Sequence, residues 1–135
     1  MDADLPILYV EDDAFSRTVM QLLLTRRLGF SKVTIFETSE NFLERLEALA
    51  PQPGLVFLDI HMLPLNGFQL LALLRGHDSF KHTPVVALTA SVMNEEIEQL
   101  RQAGFDGVIA KPIDQDSFSE TLMRILKGDL VWNVL

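Results

Sequence analysis

The chain has 135 residues, 48% apolar and 22% charged, with 7 Gly, 6 Pro and no Cys, a composition that fits one globular domain able to bury a core without disulfides. A formal charge of -8, with the 11 Lys and Arg scattered along the sequence, argues against direct binding of DNA or RNA, whose phosphates call for clustered cations. Absence of cysteine removes thiolate catalysis and Cys-ligated zinc. The opening MDADLPILYVEDD has neither the basic flank nor the long apolar region of a signal peptide or membrane span, so a cytoplasmic protein without membrane insertion is expected.

Pro6 to Val10 is a continuous apolar run, read as a first strand, and it ends in Glu11-Asp12-Asp13. From Ala14 to Leu28 the residues Phe15, Val19, Met20, Leu22 and Leu23 recur at helical spacing; Asp13 is placed to cap this helix and Gly29 to stop it. Lys32 to Phe36 is short and β-branched, a second strand, and Asn41 to Ala50 repeats the helical spacing through Phe42, Leu46 and Leu49 until Pro51 breaks it. Leu55 to Leu58 forms a third strand that delivers Asp59 at its tip, and the HMLPLNG that follows is turn chemistry. Phe68, Leu70, Leu71, Leu73 and Leu74 make a third helix that ends near Gly76.

Pro84 to Leu88 is a fourth strand that runs into Thr89-Ala90-Ser91. Asn94 is read as the N-cap of a helix over Glu95 to Gln102, which has a broad polar face because Ile97 and Leu100 are its few apolar positions; Gly104 ends it. Gly107 to Ala110 is the fifth strand, followed by Lys111-Pro112, and Asp114 or Asp116 opens a last helix carrying Phe118, Leu122, Ile125 and Leu126. Residues 1–128 are assigned to the domain. Residues 129–135, with the single Trp132, form an apolar tail that packs back, meets a partner or starts a linker.

Five strands alternating with five helices imply an α/β fold with a doubly wound parallel sheet, because a parallel strand is reached only by a crossover that covers the sheet. In such sheets the functional crevice lies beyond the C-terminal strand ends. The residues there are Glu11, Asp12 and Asp13 after the first strand, Asp59 and His61 after the third, Thr89, Ala90 and Ser91 after the fourth, and Lys111 after the fifth. Carboxylates converging on one rim raise each other's pKa unless a cation sits among them, and a hard divalent ion such as Mg²⁺ suits Asp12 and Asp59 with a loop carbonyl. The Thr89 hydroxyl, the Lys111 ammonium and the Ala90 N–H could then hold three phosphoryl oxygens, and an aspartate can itself be the nucleophile.

YVEDD at 9–13, LDIHMLPLNG at 58–67, ALTAS at 87–91 and AKPI at 110–113, each after a strand and in this order, resemble the response-regulator receiver domain of two-component signalling over about Leu5 to Lys127. The resemblance implies a flavodoxin-like strand order 2-1-3-4-5 in a three-layer sandwich. It implies Asp59 as phosphoacceptor and Mg²⁺, or Mn²⁺ in its place, held by Asp12, Asp59, the His61 backbone carbonyl and, through water, Glu11. Thr89 would bond the phosphoryl group in the active state, Lys111 would pair with it, and His61 and Ser91 would occupy the positions that tune its loss. A cis Lys111-Pro112 bond is implied as well.

Partners implied by the resemblance are a sensor histidine kinase or a histidine phosphotransfer protein upstream and a protein downstream, with a homodimer through the fourth and fifth helices also allowed. The chain would catalyse only its own phosphorylation and dephosphorylation. Two positions depart from the family pattern. The proline expected four residues after the phosphoacceptor is Leu63, with Pro64 next, which puts the loop's local shape in question; and the aromatic expected three residues before the lysine, on the switch surface, is Val108.

Other chemistries compete. Asp59 alone could cap a turn, Thr89 a loop, and Lys111 could be an ordinary surface lysine, but none of these explains their common location. A Mg²⁺-dependent phosphohydrolase with an aspartyl nucleophile would want an acid where His61 stands and room for a substrate cap. A flavodoxin-like cofactor binder would carry Gly, Ser and Thr where Glu11-Asp12-Asp13 stand. A phosphorylation-independent interaction module is a further alternative. His61, His77 and His82 lack the helical spacing of a zinc site.

Overall fold

The computed structural model describes residues 2–128 and Trp132. The remainder of the tail expected over 129–135 lies outside the described residues. Strands β1 (Ile7–Val10), β2 (Val33–Phe36), β3 (Leu55–Asp59), β4 (Val85–Thr89) and β5 (Gly107–Ala110) form one sheet in the order β2-β1-β3-β4-β5. Every pairing is parallel. Helices α1 (Ala14–Gln21), α2 (Phe42–Glu47), α3 (Gly67–Arg75), α4 (Asn94–Ala103) and α5 (Phe118–Leu126) cover both faces, which gives the expected three layers.

Alternation along the strands divides the core in two. Leu8, Val10, Val56 and Leu58 point toward α2, α3 and α4, whereas Ile7, Tyr9, Leu55 and Phe57 point toward α1 and α5. Each fully buried leucine contributes about 2 kcal/mol by leaving water, so both faces must be covered for the sheet to hold. The Arg75 guanidinium closes the opposite end of the sheet from the acids, donating to Phe80 O and Thr83 O and bridging to Asp106 at 3.0 Å, while Asp106 also accepts from Val85 N.

The helix boundaries bring several corrections. The first helix changes from α to π winding at Leu22–Arg27 before stopping at Gly29 (φ 78°). Its buried face is Met20, Leu23 and Leu24; Phe15 and Leu22, expected in the core, are 71% and 48% exposed. Both stripes fit a helical period, and only packing chooses between them. The second helix is shorter than expected because Asn41 adopts a left-handed conformation (φ 52°) before it and Ala48 caps it. Asn94 is the first residue of α4 rather than its cap; Met93 holds that position without a side-chain bond, and Glu95 and Glu96 place negative charge in the first turn. Neither Asp114 nor Asp116 opens α5. Asp114 instead folds the preceding turn, accepting from Asp116 N and Ser117 Oγ at 3.0 Å each.

Candidate functional site

The four strands β1, β3, β4 and β5 end side by side, with Asp59 opposite Leu88 and Thr89 opposite Ala110 in the pairing register. This brings Glu11, Asp59, Thr89 and Lys111 to one rim. Glu11 and Asp59 are 0% and 3% exposed, a burial that would be costly for two carboxylates without a cation. Lys111 supplies it. Its Nζ lies 3.0 and 3.1 Å from the two Glu11 oxygens and 3.2 Å from Asp59 Oδ1. Tyr9 donates its hydroxyl to Glu11 Oε1 at 2.6 Å, since residues two apart on a strand share a face. Arg17, one turn into α1, donates to the Glu11 carbonyl at 3.0 Å.

These environments move the titrations. Burial, reinforced by the Glu11 carboxylate and only partly opposed by Lys111, leaves Asp59 pushed up to about 8. For Lys111 burial disfavours the charge, but contact with Glu11 and Asp59 outweighs it and holds the ammonium above its usual value. Burial keeps the Tyr9 phenol protonated far above its usual range, and its bond to Glu11 adds to this. Asp12 is exposed beside the buried pair, and one oxygen from each of Glu11, Asp12 and Asp59 lies within 4.8 Å of the others. Three hard oxygen donors so arranged can hold a metal ion.

Across the rim, Thr89 is 2% exposed, donates Oγ1 to Ser91 O at 3.3 Å and accepts from Ser91 N at 3.1 Å. Lys111 N donates to Thr89 O at 2.9 Å, and Ala90 is exposed between them. Lys111-Pro112 is cis, as expected, and Leu63-Pro64 is cis too. His61 is exposed two residues beyond Asp59. The loop it begins is anchored twice: Leu65 N donates to the buried Ser39 Oγ at 2.9 Å, and Gly67 N donates to Ile60 O at 3.1 Å.

The family model described as response regulator receiver domain matches residues 7–123. The chain belongs to that family. The receiver is similar to the polar-differentiation response regulator DivK of Brucella anthropi, 31% identical over 124 residues, which is 91% of this chain and 96% of that protein. The solved structure of the chemotaxis response regulator CheY4 of Vibrio cholerae shares the fold with a TM-score of 0.80 at 20% identity, over 90% of this chain and 98% of that one. The receiver domain of the sensor histidine kinase PA1611 of Pseudomonas aeruginosa, solved with a magnesium ion coordinated in its active-site cleft, matches at a TM-score of 0.77 and 25% identity, covering 92% and 98% of the two chains. Receivers of this kind are the phosphoacceptor modules of two-component signalling.

Within this receiver, Val108 lies where an aromatic switch residue was expected at the surface, but it is 1% exposed and packed in the core on the α4 side. A short β-branched side chain fills that space and leaves nothing to swing outward. The Leu63-Pro64 departure leaves Gly67 in its expected place. Three contributors escaped the sequence: Tyr9 as a donor to Glu11, Arg17 as a clamp on the Glu11 carbonyl, and Ser39 as an anchor for the loop after β3. Strand alternation gave a signal for Tyr9; nothing local marked Ser39.

Proposed function

We propose that this receiver is phosphorylated on Asp59 by a phosphohistidine of a sensor histidine kinase or a histidine phosphotransfer protein, and that the modification switches its contacts with a downstream protein. The observation that carries this is the burial of Asp59 at the end of β3 with Lys111 Nζ 3.2 Å away and two further carboxylates within 4.8 Å. Asp12, Asp59, the His61 carbonyl and, through water, Glu11 would hold Mg²⁺, or Mn²⁺ in its place; all are hard oxygen donors, and the ion described in the Pseudomonas aeruginosa neighbour supports the assignment. When bound, the ion neutralises the carboxylates and the incoming phosphoryl oxygens.

An Asp59 oxygen attacks phosphorus, the P–N bond to the imidazole breaks, and the leaving imidazole takes a proton from solvent. Lys111 stays with the acceptor and offsets its new charge, while the Ala90 N–H and the Thr89 hydroxyl supply donors to the phosphoryl oxygens. For that, Thr89 gives up its bond to Ser91 O, so the 89–91 loop moves with the chemistry. His61 and Ser91 flank the phosphoryl position and set water's access to it. The only turnover is that of the protein's own aspartyl phosphate. No described helix is long and apolar enough to cross a membrane, which is compatible with the cytoplasmic placement we assign. We assign residues 1–128 to the receiver, and leave a homodimer through α4 and α5 to a test of oligomeric state.

The experiment is intact mass after incubation with acetyl phosphate and Mg²⁺, beside an Asp59→Asn variant and an EDTA control. A single phosphoryl adduct that requires both Asp59 and the metal is expected. An adduct that persists in Asp59→Asn would move the acceptor elsewhere, and no adduct at all would make the domain a phosphorylation-independent interaction module.

A further inference from the structure

Two clefts open on the strand-end face and share Ile60, His61 and Phe68 as their common wall. One, of about 500 Å³, extends from Asp12 along Met62, Leu63 and Asn66; the other, of about 350 Å³, extends past Thr89 to Glu95, Glu96 and Gln99 on α4. Together they make a trough across the rim. Its floor is apolar, with Ile60 and Met62 each 4% exposed, and its lip carries Leu63, 84% exposed. That leucine sits on a loop fixed from both sides by the Ser39 and Ile60 bonds. The formally charged side chains lining the trough among the described residues are Asp12, Glu95 and Glu96, all acidic, and neither Lys nor Arg joins them.

We propose that this trough docks a segment of a protein partner that sets an apolar side chain against Leu63 and Phe68 and Lys or Arg side chains beside Glu95 and Glu96, Asp12 being taken by the metal site. Charge complementarity selects this occupant. A nucleic acid or an anionic membrane surface would be repelled by the same acids, and a second copy of the chain would bring its own acids to meet them. An apolar anchor surrounded by complementary charge is the usual composition of an energetically dominant contact. Resting on the assignment of Asp59 as phosphoacceptor, the trough lies beside the phosphorylated site, with Thr89 in its wall.

The test uses the full chain and a fluorescein-labelled synthetic peptide of Leu and Lys at helical spacing, with a Leu and Glu peptide as control, read by anisotropy at low salt. Four proteins are compared: wild type, Leu63→Ser, Glu95→Gln with Glu96→Gln, and Asp2→Asn with Asp4→Asn, the last removing equal charge at the distant N-terminus. We expect Leu63→Ser to weaken binding about fivefold and the α4 pair about tenfold, with the N-terminal pair within about twofold of wild type. Equal losses in both charge pairs, an unchanged Leu63→Ser, or no binding to wild type would overturn the proposal. Acetyl phosphate labelling of wild type runs alongside. Labelling with failed docking refutes the trough and leaves the receiver chemistry standing, and docking without labelling does the reverse.

Discussion

The hydroxyl of Tyr9 lies 2.6 Å from Oε1 of Glu11, both buried, two residues apart on the chain at the end of β1. The same oxygen meets Lys111 Nζ at 3.0 Å, so a neutral donor and a cation share the carboxylate. Tyr9→Phe removes the donor without changing charge or shape. It should lower stability by about 1–2 kcal/mol, the cost of an under-satisfied buried acceptor, in urea denaturation of the metal-free protein. A change below a few tenths would mean that Lys111 alone satisfies Glu11.

Lys111→Met leaves Glu11 and Asp59 buried without their cation. The metal-free variant should be less stable by on the order of 3 kcal/mol, and Mg²⁺ should restore a larger share of stability to it than to wild type, because the ion replaces the lost charge. Denaturation with and without Mg²⁺ measures both. An equal response of the two proteins to Mg²⁺ would separate Lys111 from the acid cluster.

The folded value of Asp59, about 8, is above its ordinary value of 3.8. A raised folded value means that the group's stabilising contribution is complete below about pH 4, declines above it and is lost once the pH has passed through about 8. Asp59→Asn, which keeps the side chain neutral, should therefore gain on wild type as pH rises across that window in EDTA. Thermal midpoints of the two proteins at intervals from about pH 4 to 9 test this; a difference that stays flat or narrows would contradict it.

Two glycines should respond differently to alanine. A Cβ on Gly67 would stand 2.7 Å from Ile60 Cδ1 and 2.9 Å from the Asp59 carbonyl oxygen, so backbone must move and the cost should be at least about 2 kcal/mol, with loss of acetyl phosphate labelling. At Gly29 (φ 78°) nothing lies within 4 Å, and Gly29→Ala should cost only about 1 kcal/mol from left-handed backbone strain and leave labelling intact. Urea melts and intact mass on the two variants separate the effects.

The sequence disclosed the parts of this molecule that obey a period or a chemical stop. Continuous apolar runs marked β1, β3, β4 and β5 because both faces of the sheet are covered, β-branched residues marked the half-buried edge strand β2, and Gly29 and Gly104 marked helix ends because left-handed backbone favours glycine. The rim residues Glu11, Asp59, Thr89 and Lys111 were legible because each directly ends or follows a strand. Phe15 and Leu22 misled because the first helix carries two apolar stripes and the choice between them is tertiary. Asn94 misled because a good capping residue also serves as a first helical residue when Glu95 and Glu96 supply the charge. Ser39 was invisible because its role depends on Leu65, which is 26 positions away.

The contact between Lys111 and Glu11 spans 100 residues. During synthesis the three carboxylates of the rim emerge long before the ammonium that makes their burial tolerable, and β5, which presents that ammonium, pairs only at the outer edge of the sheet beside β4. Closing so long a segment costs entropy that no local contact repays. The cation that makes the acid rim tolerable is thus a late arrival in the biogenesis of this chain, supplied only when its last strand joins the sheet.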